Sequence, residues 1–295
     1  MAAMTQSTVI GLLNPGEMGA AVGRCLTDRG HTVLWASDGR SLETAARARA
    51  AGLVDAETLP TLTARANLII SVCPPHAALD VAASVQGFTG LYLDANAIAP
   101  GTAAQVARLI TSGGGRYVDG GIVGSPPVPP GGATRLYLSG EGAAEIRDLF
   151  AGTAVEPRII DEPGFAASAV KMAYAAWTKG TVALLLSIRA LARAEGVEDV
   201  LLAEWAMSQP QLSAQSARAA VAAATKGWRW VGEMEEIARC MVAAALPDGF
   251  HQAAAEIFRR SPRLADSRPG DQVTDAVLTS LTAGHPGITQ VPRST

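Results

Sequence analysis

A glycine-containing turn between a short apolar segment and an amphipathic segment is the feature that most constrains the fold of this chain. The segment Thr8–Leu13 is predicted as a β-strand, and the helical pattern Glu17–Arg29 follows the turn Asn14–Gly19. A strand that leads through such a turn into a helix presents backbone N–H groups and the positive end of the helix dipole at one point, which suits a phosphate group. The turn therefore predicts the first unit of a sheet with helices on its faces.

The same alternation continues to about Ile160, where short apolar runs are separated by alanine-rich amphipathic segments. This pattern is typical of βαβ units with a parallel sheet. The predicted strands are Thr8–Leu13, Thr32–Ala36, Leu68–Cys73, Leu91–Asp94, Tyr117–Asp119 and Leu136–Leu138, and the predicted crossover helices are Glu17–Arg29, Ser41–Ala51, Ala77–Val85, Thr102–Ser112 and Gly142–Phe150.

The pattern changes after Pro163-Gly164. Phe165–Glu195 contains no proline and is rich in alanine and leucine, so it predicts one long helix. Further helices are predicted at Val200–Met207, Leu212–Val221, Trp230–Ala245, His251–Arg259 and Gln272–Leu281. The expected fold class is an α/β Rossmann domain followed by an all-α C-terminal domain, with residues 1–162 in the first and 163–295 in the second.

Composition limits the partners. A net charge of −3 offers no basic surplus for nucleic acid, so a small-molecule ligand is expected. Cys25, Cys73 and Cys240 lie far apart and form no metal-ligand cluster, so we expect no metal and a reducing, cytoplasmic compartment. The most apolar stretch, Val182–Leu186, is too short to span a membrane, and the N-terminus carries no targeting pattern.

The turn and the end of the second strand predict a dinucleotide site. Asn14, Pro15, Gly16, Glu17 and Met18 are the residues expected at the pyrophosphate. About twenty residues on, where the ribose 2′ position is read, the chain has Ser37 and Arg40, which suit a 2′-phosphate and favour NADP. NAD stays possible, because Asp38 would bind a 2′-hydroxyl if it faces the ribose.

With these residues in view, the chain resembles the β-hydroxyacid dehydrogenase family, in its 6-phosphogluconate dehydrogenase-like branch. Four segments carry the resemblance: the turn Asn14–Gly19, the strand and turn Leu68–Pro75, the loop Val118–Ser125, and Gly164–Lys171. The resemblance implies that Cys73, Pro74 and Pro75 pass under the adenosine half of the cofactor. It also implies that Lys171 is the catalytic lysine. In the substrate loop the family's serine is matched by Val123 and its final glycine by Ser125, so substrate binding is expected to have moved to Gly124 and to the Ser125 hydroxyl and amide.

Three further departures from the family pattern limit what can be carried over. Asn14 replaces the first glycine of the turn, although asparagine tolerates a left-handed backbone better than most residues. Ala175 stands where the family has an asparagine, so its substrate contact is missing or has passed to the Tyr174 hydroxyl. The second lysine of the family has no match in 231–236, so specificity for 6-phosphogluconate is not expected.

Lys171 is the candidate proton-transfer group. Its helical neighbours Ala167, Ser168, Tyr174 and Ala175 are small or apolar, and such a setting favours a neutral amine able to exchange a proton. The alternative is an ordinary surface lysine, and Lys179 on the same segment is expected to be structural or solvated.

Asn96 follows a predicted strand at a position where the family contacts nicotinamide and substrate. It could hold the carboxamide or a substrate hydroxyl, or it could be a turn residue. Trp228 and Trp230 are two positions apart on a helical segment and cannot share a face, so one is expected in a core or a subunit interface.

The function expected from these features is hydride transfer between NADP(H) and a small hydroxy acid or its oxo form, with Lys171 as general acid or base. An NADPH-dependent imine reductase and a catalytically silent NADP-binding regulatory protein are the alternatives. A homodimer is expected, because Phe165–Leu191 has few charged residues and must bury its surface.

Overall fold

A computed structural model describes residues 8–129, 134–264 and 271–283. The chain forms two compact units, residues 1–174 and 175–295, and the division falls inside the long helix that begins at Ala166. The division lies later than the predicted domain boundary between residues 162 and 163, because the first turns of this helix bond to the sheet. The boundary between a cofactor-binding domain and a substrate or dimerisation domain at residues 162 and 163 stays a prediction.

The first unit is built on one sheet of eight strands in the described part of the chain. The strands are β1 Val9–Leu13, β2 Thr32–Trp35, β3 Val54–Asp55, β4 Leu68–Ser71, β5 Leu91–Asp94, β6 Arg116–Val123, β7 Thr134–Ser139 and β8 Val155–Ile159. Their order across the sheet is β3-β2-β1-β4-β5-β6-β7-β8. The six predicted strands are all present, and β3 and β8 are additional edge strands.

The sequence pattern predicted a parallel sheet, but one pair of neighbouring strands in it is antiparallel. Neighbours from β3 to β6 are parallel, whereas β7 runs antiparallel to β6 and β8 is parallel to β7. Adjacent parallel strands need a crossover of a dozen or more residues, usually through a helix. Between β6 and β7 only residues 124–133 are available, so the chain returns directly.

Helices cover both faces of this sheet. They are α1 Glu17–Thr27, α2 Leu42–Ala50, α3 Leu59–Arg65, α4 Ala78–Ser84, α5 Pro100–Ser112 and α6 Ala143–Phe150. Successive residues of a strand point to opposite faces, and the core follows this rule. Ile10, Leu12 and Ile70 belong to one buried cluster, whereas Leu13 and Ile69 belong to another. The two layers of helices therefore enclose a two-faced core, as a Rossmann-type domain requires.

The described residues of the second unit form helices and the turns that connect them. It contains the later part of α7 Ala166–Ala194, followed by α8 Glu198–Ser208, α9 Gln211–Ala243, α10 Gly249–Arg260 and α11 Asp271–Thr282. The predicted break between Val221 and Trp230 does not occur, because α9 continues through it. Gly227 serves a packing role there: a Cβ would lie 3.3 Å from the Phe258 ring.

Ion pairs connect the helices of the second unit. Lys179 of α7 pairs with Glu233 of α9. The buried Arg189 of α7 donates to Glu198 and to the Ser216 hydroxyl, and Arg193 donates to Glu198 as well. These bonds link α7 to the start of α8 and to α9. The α/β fold followed by an all-α region, predicted from the sequence, is confirmed.

Within the described ranges, no helix is both long enough and apolar enough to cross a membrane.

Candidate functional site

The candidate site is formed by loops that leave the sheet at one edge. Leu13 is paired in register with Ser71, Ser71 with Asp94, and Asp94 with Asp119. Four neighbouring strands therefore reach this edge at the same level, and the segments after them converge. The carboxyl edge of such a sheet is where α/β folds bind ligands.

The turn after β1 has the geometry expected of a phosphate-binding turn. Asn14 is left-handed, with φ +63°, and its carbonyl accepts a hydrogen bond of 2.7 Å from the Gly16 N–H. Asparagine is among the few residues with a side chain that adopt this conformation readily. Gly19 is needed for close approach, because a Cβ would lie 2.7 Å from the Asn14 carbonyl oxygen.

Gly16 has a different environment. It immediately precedes α1 and has φ −70°, a value open to any residue. A Cβ at this position would meet no described atom of the protein within 4 Å. Neither backbone conformation nor packing within the chain explains a glycine here. A ligand that approaches the backbone closely, as a pyrophosphate does, would explain it.

Arg47 contacts this turn from a neighbouring helix, and sequence analysis missed it. It lies on α2, and its Nη1 atom donates to the Pro15 carbonyl oxygen at 3.3 Å. Its guanidinium also pairs with Glu43 across one helical turn. Arg47 is thus a positive charge held beside the turn. Nothing in the local pattern of α2 distinguishes it from Arg49, which is exposed on the same helix.

The end of β2 keeps both interpretations of the ribose site open. Asp38 and Arg40 are exposed and Ser37 is half-buried. A tight turn through Gly39, with φ +68°, brings the Arg40 N–H to the Ser37 carbonyl at 3.0 Å. Ser37 and Arg40 therefore lie close together, as recognition of a 2′-phosphate would need.

Cys73 lies in the segment after β4, with Pro74 exposed and Pro75 buried beside it. Burial, together with the nearby Asp94 carboxyl, raises the pKa of the Cys73 thiol to about 12, while the Ser71 hydroxyl and the Arg40 guanidinium act in the opposite direction. The thiol is therefore protonated at neutral pH and is no nucleophile.

Asn96 ties the loop after β5 to the loop after β4. Its Oδ1 atom accepts from the Cys73 N–H at 2.6 Å, and its Nδ2 atom donates to the Ser71 hydroxyl at 3.1 Å. The residue is only 2% exposed. These bonds join two loops that are distant in sequence, and direct contact of Asn96 with nicotinamide or substrate stays a prediction.

Two buried carboxyl groups, which sequence analysis did not single out, lie side by side on β5 and β6. Asp94 accepts from the Asn96 N–H at 3.1 Å and from the Tyr117 hydroxyl at 3.3 Å. Burial, together with the neighbouring Asp119 carboxyl, raises the pKa of Asp94 to about 7, against hydrogen bonds from Asn96 and Tyr117 that lower it. Burial also raises the pKa of Asp119, against hydrogen bonds from Ser168 and Ser139 that lower it.

Most of the predicted substrate loop Val118–Ser125 belongs to strand β6, and only Gly124 and Ser125 follow the strand. Gly124 and Ser125 are exposed, and Gly124 has φ +125°, which favours glycine. The Ser125 carbonyl accepts from the Thr134 hydroxyl at 2.6 Å, so the loop is tied to the start of β7.

Lys171 lies on the part of α7 that packs against β6. A Cβ on Gly121 would lie 3.0 Å from the Lys171 Cβ, so the Lys171 Cβ lies close to the backbone of β6, the strand that leads to Gly124 and Ser125. Lys171 is half-buried and Tyr174, one turn later, is exposed. The predicted catalytic lysine and substrate loop thus belong to one local structure.

The chain has only two other lysines. Lys179 is ion-paired with Glu233 and lies 5.7 Å from the centre of the Trp230 ring. Lys226 is exposed on α9. Trp230 packs edge-on against Phe258, and Trp228 is exposed with the Arg229 and Arg263 guanidinium groups over its ring, so the two tryptophans face different surroundings. Among the residues that the structure describes, no cluster of His, Cys, Asp or Glu could hold a metal ion.

Comparison with known proteins gives two matches at the sequence level. A family model described as a domain of unknown function, DUF1932, matches residues 192–261, within the helical second unit. An uncharacterized 28.5 kDa protein in the 7S RNA 5′ region of Methanothermus fervidus is 27% identical over 195 residues, which is 65% of this chain and 74% of that protein.

Solved structures match nearly the whole chain. A conserved protein of unknown function, whose structure reveals similarity with 3-hydroxyacid dehydrogenases, is 26% identical with a TM-score of 0.63 and covers 92% of this chain and 99% of its own. Mycobacterium tuberculosis 3-hydroxyisobutyrate dehydrogenase, in a structure with L-serine, has 17% identity and a TM-score of 0.67, covering 94% of this chain and 100% of its own. A reductive aminase from Aspergillus terreus, in complex with NADPH and ethyl levulinate, has 20% identity and a TM-score of 0.55, covering 92% and 99%.

The structural neighbours are therefore 3-hydroxyisobutyrate dehydrogenase-like proteins, and the chain has their fold. The resemblance predicted from the four segments is confirmed at this level.

Proposed function

We propose that this chain, which has the fold of the 3-hydroxyacid dehydrogenases, is an NAD(P)-dependent oxidoreductase. Its reaction would be hydride transfer between NADP(H) and a small hydroxy acid or its oxo form. The observation that carries the proposal is the turn after β1, where Asn14 is left-handed and Gly16 leaves open space beside the start of α1. This geometry fits a cofactor pyrophosphate.

The residues present fit a nicotinamide dinucleotide along the edge of the sheet. The turn 14–18 would hold the pyrophosphate at the start of α1, with the Arg47 charge behind it. Ser37 and Arg40 would hold the 2′-phosphate, and Cys73, Pro74 and Pro75 would lie along the adenosine side. Bound there, the nicotinamide supplies or accepts the hydride.

Lys171 is the residue of this chain proposed to move the proton. Oxidation of an alcohol requires a base at the hydroxyl oxygen, and reduction of the oxo group requires an acid at the same atom. Lys179 is engaged with Glu233 and Lys226 is exposed on α9, whereas Lys171 lies where α7 packs against β6, the strand that leads to Gly124 and Ser125. Gly124, Ser125 and Tyr174 are the proposed substrate contacts, with Asn96 holding the neighbouring loops.

Replacement of Lys171 by methionine tests this assignment. The change keeps the aliphatic stem and a good helix former while it removes the amine. Turnover of the preferred substrate from a panel of hydroxy acids and oxo acids should fall by about 10²–10⁴-fold, with the dissociation constant of NADPH nearly unchanged. Lys226→Met makes the same chemical change at an exposed helical lysine and should have no effect. Retention of more than about a tenth of the turnover in Lys171→Met would refute the assignment and direct attention to Tyr174.

A second candidate reaction is reduction of an imine, because a reductive aminase with NADPH is among the structural neighbours. A protein that reduces a preformed imine with NADPH but turns over no hydroxy acid would support this alternative. A protein that binds NADPH and turns over no alcohol, oxo acid or imine would be the regulatory binder.

We also propose that the protein is a homodimer. Trp177, Leu184 and Leu191 on α7 are 72%, 43% and 63% exposed, and they are spaced seven residues apart. Residues at this spacing lie along one face of a helix, as in helix–helix interfaces. An apolar face of this kind is expected to be covered by a second copy of the chain.

A further inference from the structure

The first turn of α7 is capped by the sheet and not by its own sequence. The first N–H groups of any helix lack partners within that helix. Phe165, which precedes α7, has no side-chain acceptor. Instead, the Ala167 N–H donates to the Ser139 hydroxyl at 3.1 Å, and the Ser168 N–H donates to Asp119 Oδ2 at 2.9 Å.

The Asp119 carboxyl is bound from several sides. The Ser168 hydroxyl donates to Oδ1 at 2.5 Å, and the Ser139 hydroxyl donates to Oδ2 at 2.9 Å. Asp119 is 2% exposed and Ser168 is 1% exposed, so water does not replace these bonds. A carboxylate at this place is also favoured by the positive end of the helix dipole. Asp119 therefore fixes the rotation of α7 about its axis through two atoms of Ser168.

A second contact fixes the distance between α7 and β6. Gly121 lies two residues after Asp119 and so projects toward the same side of the strand. A Cβ there would lie 2.7 Å from the Ala167 carbonyl oxygen and 3.0 Å from the Lys171 Cβ. The helix thus packs directly on the strand backbone at Lys171. Ser168 and Lys171 are three residues apart and share a face of α7.

We propose that Asp119 is a positioning residue that acts through Ser168 to hold Lys171 at the reacting oxygen. The inference rests on the proposed function of Lys171. The hydrogen bonds between Asp119 and Ser168 set the rotation of α7 about its axis, and the close approach at Gly121 sets the distance between α7 and β6. A lysine side chain is long and flexible, so its amine is placed only as well as its Cα and Cβ are.

Steady-state kinetics on the full chain test the proposal. Asp119→Asn and Ser168→Ala should each lower kcat by about 10²-fold, as misplacement by about 1 Å can do, with the dissociation constant of NADPH within about twofold of the wild-type value. Ser168→Thr keeps the hydroxyl and should recover most of kcat. Thr153→Ala removes the hydroxyl that accepts from the Val155 N–H in the same unit and should leave kcat unchanged.

The Lys171→Met background separates positioning from simple structural support. If Asp119 acts through Lys171, adding Asp119→Asn to Lys171→Met should lower the residual turnover no further. A further loss of tenfold or more, comparable to the loss in the wild-type background, would overturn the proposal. Unchanged kcat in both Asp119→Asn and Ser168→Ala would overturn it as well. If Asp119→Asn does not fold, the pair Ser168→Ala and Ser168→Thr decides.

A readout independent of turnover distinguishes this proposal from the proposed function. The three lysines can be labelled with ¹³C at Cε, and each signal can be assigned by its Lys→Met variant. Asp119→Asn and Ser168→Ala should shift the Lys171 signal and leave those of Lys179 and Lys226 in place. If Lys171→Met retains turnover while these shifts occur, the assigned function fails and the positioning contact stands. If Lys171→Met abolishes turnover and no shift occurs, the assigned function of Lys171 stands and the positioning role of Asp119 fails.

Discussion

Replacing Lys179 by methionine should destabilise the helical second unit without removing catalysis. Lys179 and Glu233 form an ion pair whose side chains are 15% and 13% exposed, so both charges are largely out of water. Loss of one partner from a fully buried pair costs about 3–5 kcal/mol, because the other charge is left without compensation. With the residual exposure of this pair, we expect Lys179→Met to lower the free energy of unfolding by about 3 kcal/mol.

The partner variant should cost less. In Glu233→Gln the Lys179 ammonium keeps its position 5.7 Å from the centre of the Trp230 ring. A cation over a tryptophan contributes about 0.5–2 kcal/mol, so the expected loss is about 2 kcal/mol. The double variant carries no unpaired charge and should lose about 2 kcal/mol, well below the sum of the single losses.

Urea denaturation followed by circular dichroism, on wild type and the three variants, measures this cycle. Lys226→Met is the control at an exposed lysine and should unfold like the wild type. Turnover of folded Lys179→Met should stay within a few-fold of the wild-type value. Losses that simply add in the double variant would show that the two charges do not interact, and a large loss of turnover would contradict the assignment of the proton transfer to Lys171.

Two further predictions concern the cofactor and the assembly. Arg40→Ala should raise the dissociation constant of NADP by about tenfold or more, because a charge-assisted bond to the 2′-phosphate is lost, and should change that of NAD little. Arg49→Ala on α2 is the control. Equal losses of affinity for both cofactors would identify Asp38 as the residue that binds the ribose. Light scattering at micromolar concentration should give twice the monomer mass for the wild type. The double variant Trp177→Glu with Leu184→Glu should give the monomer mass, whereas Leu42→Glu, at an exposed position of α2, should remain a dimer. A monomeric wild type would disprove the dimer.

The sequence predicted the elements that carry strong periodicity and missed those that depend on context. The alternation before Ile160 predicted every strand from β1 to β7 except β3, which is only two residues long and exposed. The strand β8 contains Pro157, which normally argues against a strand, and it is tolerated because β8 lies at the edge of the sheet. The antiparallel return to β7 could not be read from apolar spacing, which is the same for either direction.

The candidate site was predicted where a backbone requirement shows in the residue type. A left-handed Asn14 and the close approach at Gly19 follow from the chemistry of the turn, and both are present. The carboxyl groups Asp94 and Asp119 were missed, although each follows an apolar run at the end of a predicted strand, which is a recognisable signal. The bond from Ser168 to Asp119 spans 49 residues and depends on how α7 packs, so no local pattern reveals it.

The residue that follows the left-handed Asn14 also affects how readily this asparagine deamidates. Asparagine in an exposed, flexible turn commonly deamidates when the next backbone nitrogen attacks the side-chain carbonyl and closes a five-membered imide. Here the next residue is Pro15, whose nitrogen carries no hydrogen and cannot form that ring. A glycine at position 15 would leave the turn open to slow conversion into aspartate and isoaspartate, placing a negative charge beside the proposed phosphate site. The proline therefore gives chemical durability to a position where asparagine is needed for its backbone conformation.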